Sequence, residues 1–184
     1  MDDIAAHLGM SKKTIYRHFK DKDEIINNLC KKDYACHREN LLKITSSSRN
    51  PIEEIFLSMK YMKCVFNQVN AILFYDLRKY HPHAWNQFRE FKEKNILKVV
   101  ENNIRKGVRK GLYRKNLDPT LMARLRIGEV EMAMDPEIFP PDYCDLHKVQ
   151  LAMLEHFLYG IVTLKGYKMI HKYKKASDLP VISI

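Results

Sequence analysis

The chain reads as all-α, a small helix-turn-helix head followed by a larger helical body. Apolar residues recur at helical spacing in every long segment. No hairpin dipeptide joins alternating apolar runs, and the 184 residues include only six glycines. Breakers then divide the chain: Thr45-Ser-Ser-Ser-Arg-Asn50 separates a head with its connecting helix, residues 1–44, from a body over residues 51–184.

The head is legible residue by residue. Ile4, Ala5 and Leu8 share one helical face, and Gly9 supplies the left-handed residue that ends a helix at low steric cost. Ser11 is an N-cap for a second helix that turns Ile15 and Phe19 to a core. Its other face carries Lys13, Tyr16, Arg17 and Lys20 at i, i+3, i+4, i+7, a cationic stripe with one aromatic. Asp21 with Glu24 forms a capping-box signal for a third helix, whose Ile25, Ile26, Leu29, Leu41, Leu42 and Ile44 reach toward the body.

In the body, Pro51 behind Asn50 starts a helix with Ile52, Ile55, Phe56, Met59, Met62 and Phe66 on one face. A shorter helix is expected near Ala71–Lys79. Pro82 opens the longest element, apolar at Trp85, Phe88, Leu97, Val100, Ile104 and Val108 and closed by Gly107 and Gly111. Asp118-Pro119 starts the next helix. After a loop marked by Pro136 and Pro140-Pro141, Leu146 to Leu164 form a final long helix, with Lys165–Lys175 as its solvated end.

Composition bounds the function. A hydrophobic content of 46% excludes a mainly disordered chain. The longest uncharged run, Cys64 to Tyr75, falls short of the roughly 18 residues that suggest a membrane span, and no signal peptide is read, so a cytoplasmic protein is expected. Cys30, Cys36, Cys64 and Cys144 lack C-x-x-C spacing and read as free thiols. Net charge is +10. Residues 11–22 hold five Lys/Arg against one Asp, whereas residues 86–116 hold ten against three Glu, so most of the excess lies outside the head. It reads as the exposed side of a long helix.

No paired carboxylates, phosphate loop, nucleophile elbow or Cys/His constellation gives an enzyme residues to work with. Catalytic residues, cofactor and metal are all expected to be none. His81-Pro-His83 has two imidazoles but no further ligand at metal spacing and reads as a helix-start turn.

A cationic helix with an aromatic among its charges suits a major groove, since Lys and Arg meet phosphates and guanine edges. Lys13 and Arg17 are the base-reading candidates, with Lys12, Thr14, Tyr16, His18 and Lys22 on phosphates. Ile4-Ala5, Leu8-Gly9-Met10-Ser11, Thr14-Ile15-Tyr16, His18-Phe19 and Lys22 together resemble the signature of the tetracycline-repressor (TetR) family of bacterial transcription regulators. Tyr80-His-Pro-His-Ala-Trp85, Gly111-Leu-Tyr-Arg with Asp118-Pro119, and Phe157-Leu-Tyr-Gly-Ile more weakly resemble the helical domains of some members.

The resemblance implies a homodimeric repressor of double-stranded operator DNA, released when an inducer enters the middle helices and shifts the separation of two heads. The bulk of Phe56, Met59, Phe66, Phe74, Tyr75, Trp85, Phe88 and Met122 suits a largely apolar effector, with Glu129 as a polar contact. Dimerisation is expected through about Leu121–Met134 and Leu146–Lys168, using Leu151, Leu154 and Leu158, with Gly128 and Gly160 allowing close backbone approach. Family members carry a further helix before the motif, so an upstream segment is expected in the functional protein. The competing reading is a helical ligand-binding or interaction dimer with an incomplete DNA head.

Overall fold

A computed structural model describes residues 1–68, 72–140 and 142–176. It is helical along almost its whole described length, in the order α1 (Asp2–His7), α2 (Lys12–Tyr16), α3 (Lys22–Ser47), α4 (Pro51–Gln68), α5 (Ile72–Tyr80), α6 (Pro82–Phe91), α7 (Leu97–Arg109), α8 (Pro119–Met132), α9 (Leu146–Ile161) and α10 (Leu164–Ala176). Local chemistry sets the boundaries. Ser11 accepts the Thr14 amide at 3.1 Å and Asp21 accepts the Glu24 amide at 2.8 Å. Asn50 accepts the amides of Ile52 and Glu53, and Asp118 those of Thr120 and Leu121. Gly9 and Gly111, at φ 62° and 66°, take the left-handed conformation that closes the preceding helices. Helix α3 runs through Thr45, Ser46 and Ser47, so the break falls at Ser48 instead of at the start of that polar run.

Two long elements differ from the periodicity. The run from Pro82 is continuous to Arg109, but Lys92–Ile96 form a π turn. Phe91 and Leu97, six apart, are both buried. An uninterrupted α-helix would put them on different faces; the wider turn brings them back into line. The expected final helix is two. Helix α9 stops at Ile161, Val162 is extended, and the Thr163 hydroxyl accepts the Gly166 amide at 3.2 Å to start α10. Lys165–Lys175 is therefore not a solvated tail: Ile170 is buried in the core and Tyr173 stacks on Phe56, with ring centroids 5.6 Å apart.

The core lies in the body, among α4, α7, α8, α9 and α10, around Ile52, Ile104, Leu112, Tyr113, Ala123, Leu158 and Ile170. Tyr113 is its keystone. After Gly111 the chain turns under α7, and the fully buried Tyr113 hydroxyl donates to Asn103 Oδ1 at 3.0 Å. Asn103 in turn donates to the Pro51 carbonyl at 2.9 Å. Burial, with the Glu54 charge adding to it, pushes the Tyr113 phenol far above its usual range, so it stays a neutral donor. Helix α3 is different: none of its residues is fully buried.

Candidate nucleic-acid interface

In the head, α1 and α2 pack on each other through Ala5 and Ile15, the two buried residues there. Ile4 and Phe19 are half-buried, while Leu8 and Met10 are exposed. Helix α2 is only five residues long, so Lys20 falls beyond it and does not continue the stripe. Its amide instead donates to Glu24, at the start of α3, at 2.6 Å. Lys13, Tyr16, Arg17, His18 and Lys22 are all exposed. Lys12 is paired with Asp2; their shared hydrogen bond lowers the pKa of the Asp2 carboxyl and raises that of the lysine. Thr14 is half-buried, and its hydroxyl lies 2.9 Å from that of Ser11. The head therefore presents the exposed side chains of Lys13, Tyr16, Arg17, His18 and Lys22 on α2 and between it and the start of α3, plus one lysine held by a carboxylate that a phosphate could replace.

The residues expected around an effector do not gather in one place. Phe74, Trp85 and Phe88 join one aromatic cluster, Phe88 lying 5.2 Å from Phe74 and 5.4 Å from Trp85 between centroids. Tyr34 of α3, which periodicity did not single out, completes it by stacking on Phe91 at 5.0 Å. Burial raises the Tyr34 phenol's pKa, with the Cys30 thiol adding to the effect. Just beyond, His37 and Tyr61 share a hydrogen bond, and burial lowers the His37 imidazole's pKa toward the neutral form. Phe56, Met59 and Met122 belong instead to the packed core of the body. Tyr75 is exposed, with the Lys79 ammonium 5.5 Å above its ring. Phe66 falls outside the described side chains. Glu129 accepts from Arg126 at 3.1 Å. Burial disfavours the charged form of that guanidinium while Glu129 opposes the effect.

The expected dimer residues need correction. Leu151, Leu154 and Leu158 are buried inside the chain itself, Leu154 and Leu158 as members of its core. They face inward because the body needs them against Phe157, Ile161 and Ile170. Gly128 and Gly160 are exposed. On α8 the open face also holds Leu121, Leu125 and Met132, at i, i+4 and i+11 with Gly128 at i+7, exposed to 59%, 50% and 40%.

The two imidazoles of His81-Pro-His83 reach across to α3. His81 Nδ1 lies 2.5 Å from Asp23 Oδ1, and His83 Nδ1 lies 3.0 Å from Asn27 Oδ1. Among the described residues no three His, Cys, Asp or Glu side chains gather as a metal set, and no helix is long and apolar enough to cross a membrane.

This head geometry has a counterpart. Residues 1–29 match the family of bacterial regulatory proteins known as the tetR family. The head is thus similar to that of the tetR family. Over 140 residues, 74% of this chain and 72% of the other, it is 27% identical to an uncharacterised HTH-type transcriptional regulator, YvaF, of Bacillus subtilis (strain 168). Among solved structures, a TetR-family regulator from Agrobacterium tumefaciens superposes with a TM-score of 0.73 at 14% identity, over 88% of this chain and 86% of that one. FadR from Bacillus subtilis, in complex with stearoyl-CoA, superposes at 0.68 and 20% identity over 87% of each. The ketosteroid regulator KstR2 of Mycobacterium tuberculosis gives 0.65 and 20%, over 88% of this chain and 83% of that one. The chain thus shares with these regulators the fold of a helix-turn-helix head on a helical body.

Proposed function

We propose that the protein is a homodimeric repressor, working in the cytoplasm, that holds a palindromic operator through α2 and releases it when a largely apolar ligand enters the body. The observation that carries this reading is the head: a short helix whose Ile15 is buried, with exposed Lys13 and Tyr16 on it and exposed Arg17 and His18 directly after it. Residues 1–44 serve as the head with its connecting helix and residues 51–184 as the effector-binding and dimerisation body. The aromatic cluster of Phe74, Trp85, Phe88 and Tyr34 is the apolar ligand's seat, and FadR's stearoyl-CoA is an example of such a ligand on a similar fold. An inducer acts only if it binds the released form more tightly than the DNA-bound one.

Lys13 and Arg17 read bases; Lys12, Thr14, Tyr16, His18 and Lys22 hold phosphates, Lys22 at the α3 N-terminus where an anion is favoured. The test uses a duplex enriched by this chain from a random-sequence pool. Arg17→Ala should cost about 1–3 kcal/mol on that duplex and relax its sequence preference, while Lys22→Ala should weaken all sequences alike and flatten the salt dependence. Fluorescence anisotropy showing equal affinity of Arg17→Ala and the parent for the enriched duplex refutes the assignment.

A further inference from the structure

The head reaches the body through α3, none of whose 26 residues is fully buried and whose ring contacts with the body include those of Tyr34 against Phe88 and Phe91. Apolar contact is non-directional. The angle at which α3 leaves the body is therefore set by whichever directional contacts hold it. Near its far end, His37 and Asn40 meet the Tyr61 hydroxyl of α4. Near the head its polar partners come from the corner between α5 and α6. Asp23, the second residue of α3, takes His81, whose side chain is only 17% exposed. Asn27, one turn on, takes His83 and Gln87, the Gln87 Nε2 donating at 3.3 Å. The partners are 56 to 60 residues apart in sequence, so these contacts exist only when α3 lies at this angle. Lys22 and Glu24 flank Asp23, but the Glu24 carboxylate is occupied by the Lys20 amide. The Gln87 Oε1 is buried with no hydrogen-bond partner among the described residues, so that side chain is held in place by its amide end.

We propose that His81, His83 and Gln87 are positioning residues: a polar clamp on Asp23 and Asn27 that sets the angle of α3 and so the placing of the head. The clamp rests on the operator-binding reading above and gives it a route. Trp85 and Phe88 alternate with His83 and Gln87 along α6, so a ligand that displaces the two rings shifts the two clamp residues with them.

The experiment uses the full chain and the duplex it enriches from a random pool. His81→Ala should weaken binding about tenfold, the scale of one hydrogen bond to a charged group, without lowering the thermal transition of the body. The exchanged pair His81→Asp with Asp23→His should restore most of the loss, which a merely structural role for either residue would not. Amide exchange gives a readout without DNA: residues 22–30 should lose protection in His81→Ala while α7 and α9 keep theirs. If the parent enriches no duplex, the operator reading fails, and exchange alone then decides whether the clamp holds α3. Parent-like binding with unchanged exchange in His81→Ala overturns the clamp, as does a loss that the exchanged pair fails to recover.

Discussion

Gly107→Ala should lower the thermal transition of the protein by about 6–12 °C, more than any change on its surface. A methyl group added at Gly107 would lie 2.0 Å from Cδ2 and 2.2 Å from Cε2 of the Tyr113 ring. The ring has nowhere to retreat: Tyr113 is fully buried, its hydroxyl is tied to Asn103, and its backbone bridges to Val162. Alanine would normally gain about 1 kcal/mol over glycine inside a helix. Overpacking a closed core costs about 3 kcal/mol or more when backbone must move, and each kcal/mol shifts the transition of a chain this size by about 2–4 °C. The clash wins. Gly128→Ala is the internal control, for it sits in α8 with no atom within 4 Å of the added carbon and should stabilise an isolated chain. Circular dichroism melts of the two variants decide the matter; a Gly107→Ala protein as stable as the parent would mean that Tyr113 does not pack beneath α7.

The parts of this fold that could be read from sequence are those decided within one turn of chain. Ser11, Asp21, Asn50 and Asp118 each cap the helix that their position implies, because a side-chain oxygen meeting an amide two or three residues on needs no tertiary context. The π turn was present in the pattern as the nine-residue gap between Phe88 and Leu97, which no α-helical period accommodates. The break at Val162-Thr163 was hidden, since Leu164 continues the α9 period from Ile161. That single omission explains why Leu154 and Leu158 looked spare: without a separate α10 returning Ile170 to the core, two of its inward residues have no evident partner. The site divides the same way. The cations of the head are visible because they cluster on one short helix, whereas Asp23 and Asn27 carry no local sign of His81 and His83, more than 50 residues away.

Leu125→Glu should convert a dimer into a monomer and remove most of the affinity for a palindromic duplex. The face of α8 that the body leaves open carries Leu121, Leu125, Gly128 and Met132 along one line, and α9 adds exposed Gly160. Fully burying one large apolar side chain contributes about 1.5–3 kcal/mol, and in a two-fold interface every residue counts twice. Substituting Leu125 therefore removes two such contributions and leaves two carboxylates to be desolvated at the seam. A weakening of the dimer by about a hundredfold or more follows from the apolar part alone. The heads, no longer held about 34–36 Å apart, then meet successive major grooves one at a time. Leu154→Arg cannot serve this purpose, because Leu154 is buried in the chain's own core and its loss would unfold the body. Leu125 is half exposed and its substitution leaves the single chain intact. Gly128→Ala sharpens the reading: it should stabilise the isolated chain yet loosen the dimer wherever backbones cross at that point. Sedimentation velocity at micromolar concentration measures both. A parent that sediments as a monomer refutes the dimer, and a Leu125→Glu protein that remains a dimer places the interface elsewhere.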